Sequence, residues 1–158
     1  KGDYVIRVGM MNPWHLNKIL PDLLKSYKSE KIMKFLHIPV QSGSERILKH
    51  MKRIHTVDNF KFAVKKFRES FPDITIATDI IIGYPLETEQ DFQDTLNLIK
   101  ETKLEVLNVS KFSSRPGTEA SNLKQLSSEI IKERKLKINL IYHEIKKELI
   151  ENRLQKAI

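Results

Sequence analysis

ITIATDIIIGYPLETEQDF, running from Ile74 to Phe92, reads as one strand, one turn and the start of one helix. Every residue from Ile74 to Ile82 is apolar or β-branched except Asp79. A strand with no polar alternation is covered on both faces, which is how strands of a parallel sheet read. Gly83 permits a sharp turn, and Pro85 lacks the N–H that a continued ladder would need. Thr88 and Asp91 then have the spacing of a capping box, with aspartate in glutamate's place, and Phe92, Leu96 and Ile99 form the buried stripe of a helix.

The same unit recurs along the chain. YVIRVGM (Tyr4–Met10) leads into a helical pattern through Trp14, Leu20, Leu23 and Tyr27, restarted near Pro21. KFLHIPV (Lys34–Val40) leads into the short helix ERILKHMK and then a longer one, N-capped by Thr56, with Phe60, Ala63, Val64 and Phe67 inward. LEVLNVSKF (Leu104–Phe112) leads through SSRPGTEAS into a long final helix from about Ser127. The spacing predicts four strands, starting at Tyr4, Lys34, Ile74 and Leu104, in a parallel α/β sheet covered by helices. Right-handed crossovers put the C-terminal ends of all strands on one side, where such folds carry their ligands. The polar residues gather at those ends: Asn12, Gln41–Ser44, Asp79–Glu87 and Ser110–Thr118.

Composition narrows the classes. The chain has 158 residues, 40% hydrophobic and 30% charged, with a net charge of +8. Its length suits one domain with a genuine core, and its basic balance raises attraction to polyanions through counterion release. The lysines are scattered through helices, however, and composition alone favours a solvated lysine-rich surface. No apolar run is long enough to span a bilayer and no leader with a cleavage site is present, so the expected location is cytoplasmic. Cysteine is absent, which rules out disulfides, thiolate zinc and cysteine-ligated clusters within these residues. Because the chain opens on Lys1 and four units cannot close an eight-stranded barrel, an incomplete piece of a longer protein is expected.

Three residues stand out from the pattern. Asp79 is a carboxylate in an otherwise apolar strand, and burying it demands donors or water at the strand end. Gln41 offers an amide at another strand end, and Arg53 can form a two-pronged bond to a carboxylate. Ser42, Gly43 and Ser44 between them allow close backbone approach and cap the short helix. Such a set suits a ligand with both hydroxyls and a carboxylate. Arg115, ahead of the type II turn sequence Pro116–Gly117, can grip a carboxylate or phosphate or stand as a surface arginine. The five histidines have no metal-ligand spacing and read as structural, and neither a Walker A loop nor G-x-G-x-x-G occurs.

Taken in order, RVGMMNP, HIPVQSGSERILKHMKR, TIATDIIIGYPLETEQDF and FSSRPGTEAS resemble the radical S-adenosylmethionine methylthiotransferases, from about Ile6 to Ala120. GMMNP is most similar to the archaeal and eukaryotic branch, which acts on threonylcarbamoyladenosine at tRNA position 37. The resemblance implies a (β/α)6 partial barrel of which this chain holds strands three to six. Residues 1–120 would form that partial barrel, and 121–158 a linker helix leading toward an RNA-binding domain. By the same resemblance Gln41, Ser42, Arg53, Asp79, Gly83, Asn108 and Val109 contact S-adenosylmethionine, with Arg53 on the methionine carboxylate and the strand around Asn108–Phe112 against the adenine. Asn12 and Arg115 fall on the substrate side. The family's cluster-binding cysteines would lie upstream, so no residue here is catalytic or metal-binding, and the [4Fe–4S] clusters belong to other parts of the full-length enzyme. The expected partner is tRNA, and the fragment alone is expected to be inactive. Leu86 departs from the family's usual glycine. Another radical enzyme, a binding module without a cluster and a plain α/β scaffold remain as rival readings.

Overall fold

The computed structural model describes residues 2–157. In chain order the elements are α1 (Pro13–Lys18), α2 (Leu20–Tyr27), β1 (Phe35–His37), α3 (Glu45–His50), α4 (Val57–Ser70), β2 (Thr75–Ile82), α5 (Glu89–Thr102), β3 (Val106–Lys111) and α6 (Ser128–Ala157), with a short 3-10 turn at Glu119–Asn122. β1, β2 and β3 form one parallel sheet in that order. β2 is central, which explains its unbroken apolar sequence.

The register sorts the side chains. Asp79 of β2 lies opposite Asn108 of β3, and Ile81 opposite Ser110. Since side chains alternate, Ile76, Thr78, Ile80 and Ile82 point the other way, into the layer of helices. There they meet Phe60 and Phe67 of α4, Phe92, Leu96 and Ile99 of α5, and Ile138 and Ile145 of α6 in one buried cluster. The opposite face, carrying Asp79, Ile81, Asn108 and Ser110, has no helix over it among the described residues.

The expected fourth strand is not formed. Among the described residues the sheet has three strands; Tyr4–Met10 contributes only isolated parallel bridges, Ile6 to Ile32 and Met10 to His37. This segment has a neighbour on one side alone. Tyr4, Val5 and Met10 are more than half exposed, so burial does not reinforce its hydrogen bonds.

β1 is shorter than its apolar run for a chemical reason. Pro39 has no N–H to donate, and the ladder stops at His37. Thr78 spans the gap: its hydroxyl donates to the Ile38 carbonyl at 2.7 Å and accepts the Val40 N–H at 3.1 Å. Pairing resumes where the Gln41 N–H donates to the Asp79 carbonyl at 2.8 Å. The helices begin where capping chemistry places them. Asn12, Ser44, Thr56 and Thr88 cap α1, α3, α4 and α5, the last two with full capping boxes.

Candidate functional site

The strand ends carry the polar residues. Gln41 joins the sheet at an isolated parallel bridge to Ile80, its backbone hydrogen-bonded to Asp79 on one side and to the Ile81 N–H on the other. Its φ is 75°, a left-handed conformation rarely adopted by residues with a Cβ. The sheet hydrogen bonds hold it there. Backbone strain of this kind collects at ligand sites.

Asp79 meets the donors its burial demands. Its Oδ1 accepts from Asn108 Nδ2 at 2.8 Å and lies 2.9 Å from His37 Nε2. Among the described residues Oδ2 has no partner. Thus β1, β2 and β3 each contribute one polar side chain, His37, Asp79 and Asn108, to a single cluster beside Gln41. His37 was not singled out in the sequence. The available signal was strand alternation: Leu36 is fully buried under the helices, so its neighbour His37 must face the other way.

About 7 Å further along the strands, one same-face residue on, Ile81 and Ser110 form part of a second feature. This is a cleft of about 730 Å³ lined by His50, Arg53, Tyr84, Lys111, Phe112 and Arg115, among others. Arg53 reaches it because Lys52 takes a left-handed turn at φ 56° after α3, and the Arg53 N–H closes back on the Leu48 carbonyl at 2.9 Å. His37, Asp79 and Asn108 therefore share one cluster, to which Gln41 is joined through its backbone, while Arg53 and Arg115 line the adjoining cleft.

The remaining expected residues hold the frame. The Ser42 hydroxyl accepts the Ser44 N–H at 3.1 Å and lies 3.4 Å from Thr95 Oγ1. Between them Gly43 is pressed on α5 so closely that a Cβ would stand 2.5 Å from Thr95 Cα. Gly83, at φ 80°, donates its N–H to Glu87 at 2.9 Å. Asn12 Oδ1 is engaged with the Trp14 N–H at 2.9 Å as the cap of α1. The Val109 side chain packs against the helix-side core, which leaves only its backbone for the open face. Leu86 packs with Ile47, Tyr84 and Ala120 in a small apolar cluster behind the cleft.

Two charged groups brace these loops. Asp91 is buried, yet hydrogen bonds from Arg46, Ser44 and Thr88 outweigh that burial and hold its carboxyl well below the usual range. Glu87 pairs with Arg134 of α6 in a nearly dry site, and there burial prevails, pushing its carboxyl above the ordinary value. Burial likewise lowers the pKa of His55, whose ring contacts the Val40 carbonyl at 3.0 Å.

His37, Asp79 and Asn108 on the open sheet face, with Arg53 and Arg115 in the adjoining cleft, offer a carboxylate, hydrogen-bond donors and two guanidiniums to a polar ligand. They do not fit a resident iron cluster, for the chain has no cysteine and no metal-ligand group occurs among the described residues. No helix among the described residues is long and apolar enough to cross a membrane.

Comparison with known proteins defines the class. The model of the radical SAM superfamily matches residues 6–99, and the chain belongs to that superfamily. The solved structure of coproporphyrinogen III oxidase (HemN) from Escherichia coli, a radical SAM enzyme, shares the fold, with a TM-score of 0.72 at 19% identity over 90% of this chain and 33% of that one.

Nearer relatives are more particular. The probable threonylcarbamoyladenosine tRNA methylthiotransferase of Archaeoglobus fulgidus is 48% identical over 92% of this chain and 34% of its own length. The protein so named in Pyrococcus horikoshii is 45% identical over 100% of this chain and 37% of its own. The human threonylcarbamoyladenosine tRNA methylthiotransferase is 41% identical over 88% and 24%. The chain thus spans about a third of the length of its archaeal relatives.

Proposed function

We propose that this chain is the S-adenosylmethionine-binding part of a methylthiotransferase acting on threonylcarbamoyladenosine in tRNA. The observation that carries the reading is 48% identity to a protein of that name over 92% of the chain. The arrangement of the strand ends supports it. In this reading residues 1–120 are a partial barrel, and 121–158 lead toward an RNA-binding domain. The protein works in the cytoplasm on tRNA.

Each residue then has a task. Gln41 and Asp79 take the ribose hydroxyls or amino group of the cofactor, with His37 and Asn108 fixing the orientation of the Asp79 carboxylate. Arg53 takes the methionine carboxylate with its planar fork. The strand around Asn108–Phe112 lies against the adenine. Ser42 and Gly83 shape the two loops, and Asn12 and Arg115 border the substrate. When bound, S-adenosylmethionine, reduced by a [4Fe–4S] cluster held by other segments, would supply the radical chemistry of the reaction. This chain's own contribution is to orient the cofactor and shield it.

The test uses the full-length protein containing this chain, reconstituted anaerobically with iron and sulfide. It is incubated with dithionite as electron donor, excess sulfide as sulfur source, S-adenosylmethionine and tRNA carrying threonylcarbamoyladenosine, and the digested nucleosides are read by mass spectrometry. The expected product is the methylthio derivative of that nucleoside. Release of 5′-deoxyadenosine with no methylthio product would assign the chain to another radical enzyme.

A further inference from the structure

The cleft carries more positive charge than one cofactor carboxylate offsets. Its walls bring together Lys52, Arg53 and Arg115 against a single acid, Glu119. Lys52 and Glu119 neutralise each other across 2.8 Å. With Arg53 engaged by the cofactor, Arg115 is left without a carboxylate partner among the described residues and is free to meet a second anion.

The cleft also has a shape. Tyr84 and Phe112 meet edge to face at its floor, ring centroids 5.2 Å apart. The Tyr84 hydroxyl is already spent on the His50 carbonyl at 3.0 Å, so what the floor offers is aromatic surface. On the wall, Arg115 sits at the head of a pinned turn. Its carbonyl accepts from the Thr118 N–H at 3.3 Å and hydroxyl at 2.8 Å, and Gly117 supplies the φ of 79° that the turn needs. The backbone is fixed while the guanidinium stays exposed. An aromatic floor beside a fixed cation suits a flat base with an anionic arm. The volume, about 730 Å³, falls within the range of small-molecule sites.

We infer that this cleft is a specificity pocket for an oxyanion of the substrate nucleotide, in which Arg115 takes the threonine carboxylate of the threonylcarbamoyl arm rather than a backbone phosphate. The inference rests on the function proposed above, since that carboxylate belongs to the nucleoside named for the relatives. A planar carboxylate matches the guanidinium fork with two parallel bonds. A recess floored by two rings admits a base and its arm, whereas a phosphate backbone calls for an open ridge.

The experiment compares two tRNAs with the reconstituted full-length protein. One carries threonylcarbamoyladenosine, and the other carries the same nucleoside with its carboxylate converted to the methyl ester. The unaltered protein favours the free acid in kcat/KM by about tenfold or more, the scale of a charge-assisted bidentate bond. Arg115→Gln narrows that preference to about twofold or less, and Arg115→Lys restores part of it. The KM for S-adenosylmethionine changes little in both variants. Equal loss on acid and ester in Arg115→Gln would overturn the inference and move the contact to a phosphate. An undiminished preference would overturn it too. If the unaltered protein methylthiolates neither tRNA, the proposed function fails and takes this inference with it, a failure distinct from the other two.

Discussion

Gln41 holds a left-handed backbone, at φ 75°, that glycine would adopt without strain. For a residue with a Cβ such a conformation costs about 1–3 kcal/mol, and the fold retains it at a strand end beside Asp79. Gln41→Gly is therefore expected to leave the urea midpoint of the chain unchanged or raised, while the full-length protein loses S-adenosylmethionine affinity. A clear drop in stability would show that Gln41 serves the fold instead. Arg53 is expected to act on the cofactor alone. Arg53→Ala in the full-length protein should raise the KM for S-adenosylmethionine by about tenfold or more and change tRNA affinity by less than about twofold. Equal losses in the two would remove its assigned role. Neither Gln41's backbone nor His37's part in the Asp79 cluster was legible in the sequence. A dihedral angle and a cross-strand neighbour depend on register, and register arises only when strands pair.

Between elements, Asp91 joins α5 to the loop ahead of α3. It accepts the Ser44 hydroxyl at 2.6 Å, the Thr88 N–H at 2.8 Å and the Arg46 guanidinium. The capping box with Thr88 was readable from spacing, because it lies within one turn. The bonds to Ser44 and Arg46 cross more than forty positions and were not. Its carboxyl titrates lower in the folded state than the value of about 3.9 expected when unfolded. The unfolded chain therefore binds this proton first. The stability Asp91 contributes is complete above about pH 4 and is lost as pH falls through the lower, folded value. Asp91→Asn should cost about 2 kcal/mol or more at pH 7, and its urea midpoint should fall less steeply than the parent's between about pH 5 and pH 2. Parallel pH profiles for the two proteins would refute this account.

Across the whole molecule, α6 is tied to the loop that leaves β2. Ile131 packs so closely on Gly83 that a Cβ there would come within 2.8 Å of it, and Arg134 reaches the buried carboxylate of Glu87, which holds the Gly83 N–H. The side chains of this pair are 6% and 1% exposed, and Arg134 Nε and Glu87 Oε1 have no hydrogen-bond partner among the described residues. Removing one member leaves the other charge buried. Arg134→Met is expected to cost about 3–5 kcal/mol in urea unfolding, and adding Glu87→Gln should recover part of the loss. A double variant no better than the single would show that the ion pair is not what fastens α6.

The sequence by itself determined the alternation of strands and helices, the parallel sheet, the caps, the strand-end clustering of polar residues and the superfamily. All of these arise from local spacing, or from short motifs in fixed order. Only the tertiary structure decided that Tyr4–Met10 stays a ragged edge, that Asp79 is shared by His37 and Asn108, that Arg53 and Arg115 face one cleft, and that Glu87 meets Arg134. Each of these depends on which surfaces come together once the sheet has formed, and that is governed by burial and register between distant segments rather than by any single stretch.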